Sequence, residues 1–210
     1  MTRLLALLAA LPLLVSGALA QELTYARIKT SMGDIDLALE AERAPKTTEN
    51  FLEYATSGFY DRLVFHRVVP ERLIQGGGYN ARLYPRATRG PIPNEAANGL
   101  KNVRGTIAMA RQADPDSADS QFFVNLRDNT SLDRTGDEFA YQAGYTVFGR
   151  VVAGMAVADA IGAVATGPGP ASSPFAAEVP VTPVVIERID PIGESEVGAT
   201  QAARPSEVAE

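Results

Sequence analysis

Apolar and polar residues alternate along much of the chain with the period of two that is typical of β-strands. Residues 23–30 and 34–39 show this alternation on either side of a short turn, so we expect them to form a β-hairpin. Further short strand-like segments, separated by turns rich in Gly, Pro and Asn, lie at residues 63–69, 73–75, 106–110, 122–126, 146–152 and 181–189. This recurrence of short strands predicts a mostly β fold.

Two segments have instead the spacing of an amphipathic helix. In residues 45–57 the apolar side chains fall on one helical face, Pro45 suits the first turn and Gly58 suits the end. Residues 155–164 carry Ala, Val and Ile at helical spacing. Because many short strands accompany only two helices, the pattern favours a closed barrel with helical caps over alternating β–α–β units.

The N-terminus has the pattern of a secretory signal peptide. Arg3 precedes an apolar run over residues 4–15, and small residues then lead to a cleavage site after Ala20. The run is shorter than the roughly 20 apolar residues of a membrane-spanning helix and contains Pro12, so a membrane anchor is the weaker interpretation. We therefore expect an exported protein that has no membrane association once residues 1–20 are removed.

Three segments follow from this organisation. Residues 1–20 are the predicted signal peptide, residues 21–190 one folded domain, and residues 191–210 a tail. The tail has few bulky apolar residues and more acidic than basic ones, so we expect it to be disordered. Within the domain, we expect residues 79–102 and 167–174 to form surface loops, because both segments are rich in Pro and Gly.

Composition excludes several classes of function. The formal net charge of -6 disfavours binding to the nucleic-acid backbone. With no cysteine and a single histidine, the chain offers no disulfide, thiol nucleophile, cysteine zinc site or metal centre with two imidazoles. Asp114, Asp116 and Asp119 lie close together, but their spacing is not that of an EF-hand calcium loop. We expect neither a metal nor a cofactor.

Three segments place polar side chains among apolar ones: Phe65-His66-Arg67, Gln75 with the three glycines after it, and Gln121 with the two phenylalanines after it. Each segment alone is compatible with ordinary packing of a barrel wall. Together they closely resemble the cyclophilin family of peptidyl-prolyl cis-trans isomerases, in particular its exported bacterial members. The resemblance runs from about residue 25 to residue 189 and includes residues 50–51, 57–60, 65–68, 74–78, 94–95, 104–110, 120–123 and 147–149.

The resemblance implies a closed eight-stranded antiparallel barrel capped by two α-helices, in agreement with the pattern of segments. It also implies an isomerase that acts on X-Pro bonds of unfolded or partly folded polypeptides, with the periplasm as the expected compartment. Rotation about such a bond breaks no covalent bond, so the enzyme need only bind the twisted peptide better than either planar isomer. That chemistry requires no nucleophile, metal or cofactor, which suits this composition.

Arg67 matches the catalytic arginine of the family. The other matches are substrate-binding residues: Gln75 beside Arg67; Leu73, Phe123 and Leu132 around the proline ring; Ala110, Arg111 and Gln121 along the preceding peptide; and Tyr145 at the rim. Leu73 stands in the place of a methionine and Tyr145 in the place of a histidine, and at two further positions an aromatic wall of the family pattern is missing. Arg72 replaces a phenylalanine of the pocket, and Ser131 stands where relatives carry tryptophan or phenylalanine.

These departures have two consequences. Burying a large aromatic side chain contributes about 1.5–3 kcal/mol, so we expect weaker binding of the proline ring, partly offset if the Arg72 stem covers it. The inhibition by cyclosporin that depends on the missing tryptophan is also in doubt. An alternative function is a proline-peptide-binding or holdase-type chaperone module with weakened catalysis.

Arginines are concentrated around the predicted site. We expect Arg67, Arg72 and Arg111 to converge on one groove and the loop residues Arg82, Arg86 and Arg89 to extend its positive charge. Acidic residues around the substrate proline would then be preferred; the alternative is that the loop arginines are scattered and solvated. We expect a monomer, because a closed barrel has no free strand edges.

Overall fold

The structure is a computed structural model that describes residues 24–170 and 175–199. Its strands are β1 (Thr24–Thr30), β2 (Gly33–Leu39), β3 (Leu63–Val69), β4 (Leu73–Asn80), β5 (Thr106–Met109), β6 (Phe122–Asn125), β7 (Val147–Ala153), β8 (Thr166–Gly167), β9 (Val179–Pro180) and β10 (Val185–Ile192). Its helices are α1 (Pro45–Thr56) and α2 (Met155–Gly162), with short 3-10 helices at Ala96–Asn98, Thr130–Leu132, Ala140–Ala143 and Glu194–Glu196. None of the helices in these ranges is long and apolar enough to cross a membrane.

Eight of the strands close into an antiparallel barrel in the order β1-β10-β3-β4-β6-β5-β7-β2. The predicted hairpin forms β1 and β2, in which Ile28 lies opposite Ile35 and both side chains are fully buried. The predicted eight-stranded antiparallel barrel with two helices is therefore confirmed. The remaining strands, β8 and β9, pair only with each other.

Aromatic side chains join α1 to the barrel. Phe51 of α1 lies 5.5, 5.6 and 5.3 Å from the ring centroids of Tyr60, Phe122 and Phe148. All of these rings are fully buried, and the Tyr60 hydroxyl donates to the Ser120 carbonyl at 2.9 Å. This packing brings β6, which carries part of the predicted site, against the first helix.

Three glycines lie inside β4 and not after it. β4 runs to Asn80, whereas the alternation of apolar residues predicted its end at residue 75. The glycines allow the neighbouring chain to approach closely: a Cβ at Gly78 would lie 2.6 Å from Cγ of Gln121. Because glycine has no side chain to alternate, the sequence pattern ends before the strand does.

The last strand also differs from its prediction. β10 covers residues 185–192, not 181–189, and its register is determined by pairing with β1 and β3. The predicted domain boundary after residue 190 therefore falls inside this strand. Residues 194–199 pack back on the barrel: Arg27 donates to the Glu196 carbonyl at 2.6 Å, and the Gly198 N–H donates to Asp36 at 2.7 Å. The predicted signal peptide and residues 200–210 lie outside the described residues.

Candidate functional site

A cavity of about 260 Å³ lies on the outer wall of the barrel, where β3, β4 and the loops after β5 and β6 meet. Its lining contains nine of the ten residues that the resemblance assigned to the site: Arg67, Arg72, Leu73, Gln75, Ala110, Arg111, Phe123, Leu132 and Tyr145. The tenth, Gln121, is joined to Gln75 by a side-chain hydrogen bond of 3.1 Å. Residues from widely separated parts of the chain therefore form one groove, which we call the Arg67 groove.

The strand register places the centre of this groove. Arg67 on β3 lies opposite Gln75 on β4, and Gln75 lies opposite Phe123 on β6. Phe123 in turn lies opposite Ala108 on β5. Because directly opposite residues share one face of a sheet, a cation, an amide and an aromatic ring are aligned across three adjacent strands.

Arg67 is held by two side chains. Its Nε donates to Oε2 of Glu178 at 2.7 Å, and one terminal nitrogen donates to Oε1 of Gln75 at 3.4 Å. The Gln75 amide then donates to Gln121, which continues the network along the groove. These hydrogen bonds hold the guanidinium in place. Because the side chain is 35% exposed, it is still accessible to a ligand.

A small apolar cluster lies beside this network, apart from the main core of the barrel. It consists of the buried side chains Leu73, Ala108, Phe123 and Val147, on which Val69, Leu100, Ala110, Leu132 and Tyr145 pack. The Tyr145 ring contacts Phe123 edge to face, with centroids 5.7 Å apart. An apolar surface next to a fixed cation can bind a small apolar ring and place a polar bond beside the guanidinium.

The predicted convergence of Arg67, Arg72 and Arg111 is confirmed, because all line the same cavity. The Arg111 guanidinium carbon lies 4.8 Å from the Tyr145 ring centroid, and its Nε donates to the Gly144 carbonyl at 2.9 Å. Ser131, by contrast, is exposed and does not line the cavity. That side of the groove therefore lacks the aromatic wall of the family pattern.

The predicted contribution of the loop arginines to the groove is wrong for Arg86 and Arg89. Arg86 donates to the Phe59 carbonyl at 2.6 Å, and Arg89 pairs with Glu53 of α1 at 2.6 Å. Both side chains are held near α1 by nearby oxygen acceptors, and neither lines the cavity. Arg82 is exposed and also lies outside the lining.

His66 and Glu178 complete the surroundings of Arg67. His66 is fully buried, and burial lowers the pKa of its imidazole to about 4, so it is neutral near pH 7. It therefore packs as a neutral ring beside Tyr79 and Phe175. The contact of Glu178 with Arg67 was not predicted, because the two residues are 111 positions apart and nothing in the sequence around Glu178 marks it.

A second cavity, of about 320 Å³, lies near the other face of β3. Its lining is mainly apolar and includes Val64, His66, Leu83 and several prolines of the segments around β8 and β9. Among the described residues, no lysine or arginine lines this cavity. The Arg67 groove, by contrast, combines an apolar surface with the polar donors of Arg67 and Gln75.

Comparison with known proteins agrees with this arrangement. Residues 25–190 match the family "Cyclophilin type peptidyl-prolyl cis-trans isomerase/CLD". The chain is 47% identical over 165 residues to peptidyl-prolyl cis-trans isomerase A of Dickeya dadantii, covering 78% of this chain and 82% of that protein. It is 46% identical over 160 residues to isomerase B of Escherichia coli, covering 76% and 94%. A solved cyclophilin-type isomerase of Cryptosporidium parvum shares the fold, with a TM-score of 0.66 and 23% identity over 82% of this chain and 99% of that one.

Proposed function

The chain belongs to the cyclophilin-type peptidyl-prolyl cis-trans isomerases and is a cofactor-independent isomerase, and we propose that Arg67 is its catalytic group. The observation that supports this role is the position of Arg67, fixed and accessible beside the apolar cluster of the groove. The substrates would be X-Pro segments of unfolded or partly folded polypeptides. A structurally similar isomerase of Cryptosporidium parvum was solved in the presence of the dipeptide Ala-Pro.

The reaction is catalysed by selective binding of the twisted peptide. Amide resonance opposes rotation of the X-Pro bond with a barrier of about 18–20 kcal/mol. In the twisted state the prolyl nitrogen regains its lone pair, so it can accept a hydrogen bond that the planar amide cannot accept. A cationic donor held beside this nitrogen lowers the barrier, because its hydrogen bond forms only in the twisted state. A guanidinium has five N–H groups, so Arg67 retains donors beyond those that bind Glu178 and Gln75.

The apolar cluster would hold the proline ring. Phe123 supplies a buried aromatic surface, and Leu73 and Leu132 line the same cavity. Burial of an apolar ring is favourable in proportion to the area removed from water. This anchors the proline while the residue before it rotates, which is the geometry the reaction needs.

The peptide before the proline would lie along Ala110 and Gln121, whose backbones are joined by a 2.9 Å hydrogen bond from the Ala110 N–H. Arg111 has a different environment from the other arginines of the groove. Its guanidinium donates to backbone carbonyls of Gln112, Ala113, Ala140 and Gly144. We expect Arg111 to hold the loop that borders the groove, with Tyr145 under it, and to contribute charge more than direct hydrogen bonds.

The decisive experiment is an isomerase assay, protease-coupled or by exchange NMR, on an Ala-Pro peptide. We expect Arg67→Ala to lose about 10²–10³-fold of the acceleration, as is common when a key transition-state donor is removed. Arg150→Ala is the matched control, because Arg150 is an exposed arginine of β7 that pairs with Glu40 and lies outside the groove lining. If Arg67→Ala isomerises the peptide as fast as the wild type, the proposed role of Arg67 is wrong.

The alternative, a peptide-binding or holdase module with weakened catalysis, is not favoured. Relatives that are 46–49% identical are named peptidyl-prolyl isomerases. Under the alternative, the wild type and Arg67→Ala would both be as slow as the uncatalysed reaction.

We also propose that the protein is exported to the periplasm. The signal-peptide pattern of residues 1–20 supports this. Expression of the full chain in a Gram-negative host should yield a periplasmic protein that begins at Gln21. Recovery of an uncleaved chain in the cytoplasm would contradict the proposal.

A monomer is proposed on the basis of the barrel. Each of its eight strands is paired on both sides, so no barrel edge is free to add a second chain. Sedimentation velocity should give the mass of one chain across the micromolar range. A concentration-dependent shift to twice that mass would contradict this.

A further inference from the structure

Glu178 makes the shortest hydrogen bond described for Arg67. Its carboxylate accepts from Nε at 2.7 Å, whereas the Gln75 amide accepts from a terminal nitrogen at 3.4 Å. Both bonds have a cationic donor, but only the bond to Glu178 also has an anionic acceptor, and it is the shorter of the two, so it is the stronger. Glu178, which precedes β9, therefore holds the guanidinium more firmly than the glutamine that lies opposite Arg67 in the sheet.

The backbone at Glu178 is in an unfavourable conformation. Its φ of +67° lies in the left-handed region, which side-chain-bearing residues rarely adopt. The conformation is held from both sides: the Glu178 carbonyl accepts from the Val68 N–H at 2.8 Å, and Val179 pairs with Gly167 in the two-stranded sheet. Strain of this kind persists where the surrounding structure imposes it, and it is concentrated at functional sites.

The ion pair between Arg67 and Glu178 leaves part of the guanidinium free to bind a substrate. A guanidinium has one edge that includes Nε and another formed by the two terminal nitrogens. Glu178 occupies Nε, so the guanidinium can still donate to a substrate from its terminal nitrogens. Arg67 and Glu178 are 35% and 38% exposed, so without the carboxylate the arginine would sample several rotamers in water.

We propose that Glu178 is a positioning residue for catalysis, which fixes the orientation of the Arg67 guanidinium toward the twisted X-Pro bond. This inference rests on the proposed catalytic role of Arg67. Because only correctly oriented donors stabilise the transition state, loss of Glu178 should lower kcat more than it raises KM. As an exposed ion pair, the same contact should contribute little to folding stability.

Three substitutions separate the contributions of the carboxylate. Glu178→Ala should lower kcat about 10-fold with KM nearly unchanged. Glu178→Gln should recover part of this loss, because the amide oxygen can accept the same hydrogen bond without the charge. Glu178→Gly should be as slow as Glu178→Ala, because it also lacks the carboxylate. Its melting temperature should be no lower than that of Glu178→Ala, because glycine adopts the left-handed backbone without strain.

Glu53→Gln is the matched control, since Glu53 also pairs with an arginine, Arg89, at 2.6 Å but on α1. It should leave kcat and KM unchanged. An independent readout is the NMR signal of the Arg67 Nε–H, which should shift and exchange faster with water in Glu178→Ala. An unchanged signal, or a wild-type kcat in Glu178→Ala, would overturn the proposal.

The Arg67→Ala background distinguishes failure of this inference from failure of the proposed function. At high enzyme concentration, Glu178→Ala should not lower the residual rate of Arg67→Ala any further. If Arg67→Ala is slow but Glu178→Ala alone is fast, only the positioning role is overturned. If Glu178→Ala lowers the rate equally in both backgrounds, the residue acts through folding and the proposal is overturned. If Arg67→Ala retains the wild-type rate, the catalytic role of Arg67 is overturned first.

Discussion

Arg72 differs from the other arginines of the groove in its partners. Arg67 is paired with Glu178, and Arg111 donates to loop carbonyls, whereas the buried Nε of Arg72 has no hydrogen-bond partner among the described residues. That buried atom is not accessible to a substrate, but Arg67, Arg72 and Arg111 line the same groove, and their positive charge attracts an acidic side chain of the substrate. We therefore expect Glu-X-Pro peptides to be isomerised several-fold faster than Lys-X-Pro peptides at low salt.

This preference should narrow at high salt, because screening weakens exposed charge interactions. Arg72→Leu should reduce the preference, while Arg82→Leu, a change at an arginine outside the cavity lining, should not. The measurement is kcat/KM for otherwise identical peptides. Equal values for the two peptides at low salt would refute the prediction.

His66 gives stability a pH dependence. Its imidazole lies 4.7 Å from the ring of Tyr79 and 5.1 Å from that of Phe175, measured between centroids, and burial lowers its pKa from 6.5 to about 4. The unfolded chain binds a proton below about pH 6.5, but the folded chain does not until about pH 4. The contribution to stability is therefore complete above pH 6.5 and falls as the pH drops toward 4, by about 2 to 3 kcal/mol.

Urea unfolding at pH 7.5 and pH 4.5 measures this effect. Carboxylates also titrate near the lower pH, so the comparison is with His66→Gln, in which they are retained. The variant should lose less unfolding free energy over this interval than the wild type. The same loss in both proteins would show that His66 does not carry the effect.

At the scale of the element, β4 depends on close approach of its neighbours at Gly77. The residue has φ +86°, and a Cβ there would lie 2.9 Å from the Ser120 carbonyl and 3.0 Å from the Phe122 ring. Gly77→Ala combines an unfavourable backbone conformation with a clash against the backbone before β6. We expect it to lower the free energy of unfolding by about 1–3 kcal/mol.

Gly90→Ala separates the two causes. Gly90 also has a positive φ, of +124°, but a Cβ there would meet nothing within 4 Å. Its substitution should cost less, as measured by urea unfolding of both variants. If the two substitutions cost the same, the contact between β4 and the backbone at Ser120 is not the cause.

The ends of elements are where the sequence pattern and the structure differ most. The helical spacing predicted α1 to within one residue, 45–57 against Pro45–Thr56, because the periodicity and its boundary residues lie within the segment itself. The ends of β4 and β10 were predicted less well. Strand ends depend on pairing with residues far away in the chain. Neither a glycine nor an isolated proline in the sequence shows where that pairing ends.

At the scale of the whole molecule, the segment after β10 stabilises the barrel. Arg27 and Asp36 form a buried ion pair at 2.6 Å, and residues 196 and 198 add further hydrogen bonds to the two side chains. A buried charged pair that loses hydrogen-bond partners becomes unfavourable. Truncation after Ile192 should therefore lower the free energy of unfolding by about 1–3 kcal/mol.

Truncation after Ala199 is the matched control. It retains the contacts of Glu196 and Gly198 and removes only residues 200–210, the last part of the tail predicted at residues 191–210, so it should leave stability unchanged. Thermal and urea unfolding of both truncated chains make the comparison. Equal stability of the shorter chain and the wild type would contradict a role for residues 193–199.

More of the site residues than of the surrounding arginines lie where the sequence predicted them. All ten residues assigned from the family resemblance lie in or beside the Arg67 groove, because their motifs are short and stay in order along the chain. Arg86 and Arg89 were assigned from charge and proximity in sequence, and they bind oxygen acceptors near α1 instead. The charge of a loop residue does not show which hydrogen-bond acceptor will lie beside it in the folded protein.

The sequence by itself determined the strand-rich pattern and the two helices, because these depend on local periodicity. Its contiguous motifs carried the family resemblance, and the residues of the groove were assigned from that resemblance. Only the tertiary structure decided that Glu178 reaches Arg67, that residues 194–199 cover the Arg27–Asp36 pair and where β4 and β10 end. These contacts join residues far apart in the chain. Their geometry follows from the closure of the barrel and the conformations of its loops, which no local pattern records.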